Sequence, residues 1–234
     1  MKKVILIIIV IAVIVGSVAA INYYNLTKTD GYKFKIEYEK LNGKKSKMGK
    51  KNRTVSIPAE NPIVYATADD IVKKINKNET FLVYFGFSEC PWCRSMIENL
   101  IEVTKKKHIR EVYYVDVLNI RDIKEVKDGE VVTTKKGTNG YMKLLEQLDG
   151  VLSDYKLVDE NGNRVEVNEK RIYAPNLVGI VNGKAEKLEQ GISPREHDPY
   201  MKLTKKMNNE SKKQIECVLK CMEKANVCTS QTSC

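Results

Sequence analysis

The segment Phe81–Leu100, FLVYFGFSECPWCRSMIENL, decides how the chain folds. Its first half belongs to a continuous apolar run with aromatics, Thr80–Phe87, the pattern of a strand buried on both faces. The run stops at Cys90 and Cys93, with only Pro91 and Trp92 between them. From there a helix is predicted through about Lys107, because Met96, Leu100, Ile101 and Val103 recur at helical spacing and proline is tolerated in a first turn. Glu111–Leu118, EVYYVDVL, reads as a second strand. Strand, helix and strand in that order imply a parallel pair with a right-handed crossover, and so an α/β fold.

The flanking segments extend this unit. Thr67-Ala68-Asp69-Asp70 opens a short helix through Lys77, with a hydroxyl cap and acids in its first turn. Between Asn119 and Arg171 the pattern predicts a helix over Gly140–Leu148. It also predicts strands at Tyr155–Asp159 and Arg164–Asn168 around a Glu160-Asn161-Gly162-Asn163 turn. Asn176–Val181 and Lys184–Glu189 flank Asn182-Gly183, the strongest short hairpin signal. Ser211-Lys212-Lys213-Gln214 reads as a capping box opening a final helix to about Ala225, with Ile215, Val218, Leu219 and Met222 as its apolar stripe. Residues 22–60 are polar and lysine-rich and read as a spacer partly packed on the domain, with Tyr32–Lys44 a short helix or strand and VSIPAENPIVY extended chain.

At the N-terminus, Met1-Lys2-Lys3 precedes an almost purely apolar stretch from Val4 to Ile21. As a helix it would be roughly 27 Å long, about the thickness of a bilayer's hydrocarbon core. Lysines before it and a much larger segment after it predict a single-pass anchor with the domain outside the cytoplasm. The alternative is a cleaved signal, since Ser17-Val18-Ala19 and Val18-Ala19-Ala20 offer small residues to a signal peptidase and would leave a secreted protein. The formal charge is +10, but the basic residues are mostly lysines scattered in short runs without interleaved aromatics. The balance would suit an anionic surface, whereas the scattered lysines are sufficiently explained by AT-rich codon usage and argue against nucleic-acid binding.

Outside the cytoplasm disulfides form and persist, which bears on the six cysteines. Cys90 and Cys93 stand apart from a terminal cluster, Cys217, Cys221, Cys228 and Cys234. A thiol where a strand feeds a helix meets unsatisfied N–H groups and the positive end of the helix dipole. Such cysteines fall in pKa from about 8.5 to roughly 3.5–7.5. Cys90 is thus the expected exposed nucleophile and Cys93, a helical turn further in, the more buried resolving thiol. Arg94 adds positive field and Glu89 opposes it. The alternatives are a metal half-site and an inert disulfide. The only histidines, His108 and His197, have no ligand spacing to the pair and read as surface residues, and a disulfide across two residues would staple almost nothing.

These features together resemble the thioredoxin superfamily. The resemblance rests on the strand into Cys90-Pro91-Trp92-Cys93, the strand Glu111–Leu118, and Ala174-Pro175 before a strand–Asn-Gly–strand hairpin, and covers roughly residues 67–190 plus the last helix. It implies a three-layer sandwich, a mixed sheet flanked by helices, here with an inserted helix and hairpin over 119–170. It also implies a cis bond before Pro175 and a substrate groove formed by Trp92, Ala174 and Pro175. Tyr84 stands where thioredoxin itself carries a buried acid. The chain looks most like membrane-tethered thioredoxin-like proteins of Gram-positive bacteria.

The implied activity is thiol–disulfide exchange with cysteine-containing exported proteins, without a cofactor, with a membrane thiol carrier resetting the pair. Cys-Pro-aromatic-Cys resembles both reducing and oxidising relatives, so the direction of electron flow stays open. A binding or export-accessory module with a merely structural disulfide is the alternative. The expected organisation is an anchor over 1–21, a spacer over 22–60, the main domain over 61–210, and a final helix with a Cys-rich tail over 211–234. The four tail cysteines read as structural disulfides, Cys221–Cys228 and Cys217–Cys234, against a second redox relay or a four-thiolate zinc knot.

Overall fold

The computed structural model describes the backbone of residues 2–223 and the side chains of 11–223. In chain order its elements are α1 (Lys2–Lys28), α2 (Asp30–Glu39), β1 (Ile63–Tyr65), α3 (Ala68–Asn76), β2 (Phe81–Gly86), α4 (Pro91–Lys106) and β3 (Val112–Asp116). There follow β4 (Ile123–Lys127), β5 (Glu130–Lys135), α5 (Asn139–Leu148), β6 (Ser153–Val158), β7 (Arg164–Arg171), β8 (Asn176–Val181), β9 (Lys184–Glu189) and α6 (Lys205–Glu223).

A five-stranded mixed sheet in the order β1-β3-β2-β8-β9 forms the middle layer. β1 and β2 both run parallel to β3, while β8 is antiparallel to β2 and to β9. The uninterrupted apolar run of β2 follows from this position. Leu82 and Tyr84 face a cluster with α2, α4 and α6, whereas Phe81, Val83 and Phe85 face α3 and α5. A central strand with helices over both faces has no solvent side to carry polar residues. Asn182 and Gly183 both hold positive φ, 49° and 73°, in the tight turn predicted between β8 and β9.

The segment between β3 and β8 holds α5 and two hairpins, β4–β5 and β6–β7, where the sequence reading placed one helix and one hairpin. Asp128 and Gly129, with φ of 52° and 81°, make the turn of the additional hairpin. A buried Asp122–Arg171 ion pair at 2.7 Å joins the two ends of this insertion, and the Arg171 guanidinium lies 4.0 Å from the centre of the Tyr155 ring.

The stretch read as a spacer is in part a structural layer. Thr29 caps α2, whose Phe34 and Tyr38 are fully buried, and Val55 and Ile57 join the same core cluster. Phe34 and Tyr38 sit one turn apart on one helical face, a short-range signal that the surrounding lysines obscure. Arg94 holds this layer down. At 1% exposure it donates to the carbonyls of Arg53, Tyr38 and Ser88 and to Oδ1 of Asn42.

The last helix begins earlier than the proposed capping box. Thr204 Oγ1 accepts from Met207 N–H at 3.2 Å, and Ser211 lies inside α6. The Ser211 hydroxyl is buried and donates to the Gly191 carbonyl at 2.6 Å while accepting from Asn99 Nδ2. Its polarity serves helix packing rather than a helix start.

Among the described residues no helix is long and apolar enough to cross a membrane. The span expected over 4–21 therefore has no counterpart among them, since the side chains of residues 1–10 lie outside the described set. Within α1, Ile11, Val13, Ile14, Val15, Val18 and Ile21 are exposed.

Arg94→Met removes donors from buried carbonyls that have no water to replace them. The expected loss is about 3 kcal/mol or more, roughly a 10 °C lower melting temperature for a domain of this size. An unchanged thermal melt would show that the N-terminal layer is held by other contacts.

Candidate active site

β2 ends at Gly86, and a short turn in which Cys90 N–H donates to the Phe87 carbonyl aims the chain into α4. Cys90 is the N-cap of that helix, and Pro91 occupies its first turn, where no amide donor is needed. The Cys90 Sγ accepts the Cys93 backbone N–H at 3.3 Å and donates to the Ala174 carbonyl at 3.3 Å. The Ala174-Pro175 peptide bond is cis, so the two segments singled out in the sequence meet at one sulfur. Beside them lies a cavity of about 400 Å³ lined by Trp92, Tyr173, Ala174, Pro175, Ile192 and Glu196.

Cys90 and Cys93 are free thiols, and Cys217 and Cys221 are disulfide-bonded. The sequence thus carries two kinds of cysteine in one chain. Cys228 and Cys234, and with them the pairing expected for the tail, lie outside the described residues. Cys93 is fully buried, as expected for the second thiol. Cys90 departs from expectation, being 4% exposed instead of open to solvent, because it packs into an apolar cluster bordered by Phe87, Trp92 and Ala174.

Electrostatics separate the two thiols. The Cys90 pKa is lowered, chiefly by the hydrogen bond from the Cys93 side chain, against an opposing burial effect. The backbone N–H groups of Cys93 and Trp92 and the charge of Arg121 add to the lowering. The Cys93 thiol is pushed well up, mainly by burial and then by its bond to Cys90. One sulfur is prepared to carry charge and the other to keep its proton, the division that attack followed by resolution requires.

Arg94, expected to supply positive field, instead faces the N-terminal layer and bonds only neutral acceptors. Arg121 is the cation that acts on Cys90. Its guanidinium sits 5.1 Å from the centre of the Phe87 ring, and the adjacent Asp122–Arg171 pair pins the chain there. Nothing local in the sequence marks Arg121, because its approach depends on how the insertion folds back. His108 and His197 are exposed, as expected. Among the described residues no group of histidines, cysteines and carboxylates is placed to hold a metal ion.

A thiol whose pKa is lowered on folding stabilises the reduced folded protein above the ordinary thiol pKa. That contribution is lost as pH falls through the lowered value. The pH profile of Cys90 alkylation should therefore have its midpoint below about 8.5, and Arg121→Met should move that midpoint upward. A profile that Arg121→Met leaves in place would remove Arg121 from the site. No family model matches the chain and no curated protein matches it, so the reading of this site rests on its geometry.

Proposed function

We propose that the chain is a thiol–disulfide oxidoreductase of the thioredoxin kind, with Cys90 attacking and Cys93 resolving. The observation that carries this reading is the free Cys90 sulfur at a helix N-terminus, 3.3 Å from the carbonyl of a cis-proline peptide. In the reaction, the Cys90 thiolate attacks a substrate disulfide and one substrate thiolate leaves. Cys93 then attacks the Cys90 sulfur of the mixed disulfide, closing Cys90–Cys93 and releasing the second substrate thiolate. Two electrons pass to the substrate, and the protons given up by the two cysteines match those its thiolates take up. Run backwards, the same steps insert a disulfide.

The cavity between Trp92 and Pro175 supports a role in seating an extended chain next to Cys90. Its substrates are cysteine-bearing exported proteins, and a membrane thiol carrier resets the pair. The exposed apolar surface of α1 from Ile11 to Ile21 supports attachment to a membrane, and Lys2 and Lys3 before it favour the domain outside the cytoplasm. The near-complete burial of Cys90 favours a second reading, a binding or export-accessory module whose thiols stay silent.

Cys93→Ser separates the two. The full chain carrying this change should accumulate covalent adducts with disulfide-containing proteins, resolved by dithiol and abolished by adding Cys90→Ser. Absence of such adducts, with the fold intact, would favour the binding module.

A further inference from the structure

Between Glu39 and Glu60 the chain carries six lysines and one arginine and no acidic residue. Codon bias explains a surplus of lysine. It leaves unexplained both the missing acids and the way the fold gathers these lysines. Lys45 and Lys51 form an antiparallel bridge, and Ser46 N–H and Asn52 N–H donate to the carbonyls of Lys50 and Lys44, each at 2.8 Å. Gly49, with a φ of 76°, closes the turn by donating to the Ser46 carbonyl at 2.9 Å. The result is a small hairpin over 44–51 with Lys47 and Met48 at its tip.

Met48 is 74% exposed, more than any other large apolar side chain among the described residues. Lys44, Lys45, Lys47, Lys50 and Lys51 around it are all exposed. Of these, Lys50 is paired, with Asp198 at 3.2 Å, and among the described residues the other four meet no carboxylate. Like charges held close on one hairpin repel, and an anionic surface relieves that repulsion. An acidic polypeptide would answer the charge but gives an apolar tip nothing to enter. A phospholipid bilayer offers both, phosphate headgroups for the lysines and an acyl boundary for the methionine. The exposed apolar surface of α1 points to the same kind of partner.

The hairpin is braced against the segment that walls the groove beside Cys90. Tyr200 donates its hydroxyl proton to Ser46 Oγ at 3.0 Å, and Lys50 lies 5.0 Å from the centre of the Tyr200 ring. Just beyond the hairpin, Arg53 donates to the carbonyls of Pro199 and Met201 at 2.9 and 2.7 Å and pairs with the buried Glu196 at 3.6 Å. Glu196 lines the cavity together with Trp92 and Pro175.

We propose that the 44–51 hairpin docks on the anionic headgroups of a phospholipid bilayer, with Met48 entering the headgroup layer and Lys44, Lys45, Lys47 and Lys51 meeting the phosphates. Through Arg53 and Tyr200 the same contact holds the groove at a fixed place over the membrane, where exported chains emerge. That consequence rests on the oxidoreductase reading, whereas the docking itself does not.

The test uses the full chain carrying Trp92→Phe and Met48→Trp, mixed with vesicles of brominated phosphatidylcholine with or without phosphatidylglycerol. On vesicles containing phosphatidylglycerol the emission of the introduced tryptophan should shift to the blue and be quenched about twofold or more. About 1 M salt should reverse the change. Each lysine at such a surface favours contact by about fivefold, so replacing Lys44, Lys45, Lys47 and Lys51 together by Gln should abolish it.

In the unaltered chain, a water-soluble acetylating reagent followed by mass mapping gives a second measurement that needs no variant. Lys44, Lys45, Lys47 and Lys51 should react about fivefold more slowly on anionic than on zwitterionic vesicles. Lys73, on α3 across the sheet from α2, should react equally on both. A chain that floats with both kinds of vesicle and shows equal emission and equal acetylation on them overturns the docking while membrane attachment through α1 stands. A chain that floats with neither overturns both. Protection of the four lysines by soluble polyglutamate and not by anionic vesicles overturns the proposal in favour of an acidic polypeptide partner.

Discussion

The burial of β2 on both faces is the constraint from which the rest of the structure follows. A strand between β3 and β8, with helices above and below, can carry only apolar side chains and hydroxyls satisfied by one another. Its ladder also fixes where it ends. Once β2 pairs antiparallel with β8, its C-terminal end lies beside the start of β8, opposite Asn176. The turn after Gly86 must therefore deliver Cys90 next to the Ala174-Pro175 peptide. The meeting of thiol and cis-proline is a consequence of sheet register and needs no separate device.

The helix that starts at Cys90 converts this placement into chemistry. Backbone N–H groups at its first turn have no carbonyl to bond and turn toward the sulfur. Arg121 adds charge from the insertion, and Cys93 adds a thiol proton from the next turn. On the far side of the same helix, Arg94 binds carbonyls of the N-terminal layer and brings Tyr38 over Tyr84. The layer 29–57 is thus part of the site's foundation, linking a segment outside the sheet to the environment of Cys93.

Most of the core was legible in the sequence because its signals are local. β8, β9 and their Asn-Gly turn, the cap at Thr67 and the helix starting at Pro91 each follow from a few adjacent residues. What escaped depends on contacts distant in sequence. Phe34 and Tyr38 form a core face only two residues wide, diluted among lysines, and α2 gains its stability by packing rather than by pattern. Ser211 has the spacing of a capping box, yet its hydroxyl is taken by Gly191 in another segment. The Asp128-Gly129 turn was visible in principle, but the flanking strands are largely exposed and lack the apolar alternation that marks a hairpin. In the site, the cysteines, Trp92 and Pro175 were readable from motif and order. The roles of Arg121 and Arg94 were not, since each depends on where a long side chain meets a partner from another layer.

The central claim is that Cys90 and Cys93 form a working redox pair, and Trp92, the only tryptophan in the chain, lies between them as a built-in reporter. Its fluorescence can be followed while the full chain is equilibrated in graded dithiol–disulfide buffers, with thiol alkylation and mass mapping keeping the tail cysteines apart. The account predicts a reversible two-electron transition at Cys90–Cys93 in the folded protein. Because the Cys90 thiolate is favoured, its midpoint should lie above about −300 mV, the limit below which structural disulfides fall. A pair that does not change until the chain unfolds, or that titrates below that limit, would contradict the account and leave the cysteines a structural role.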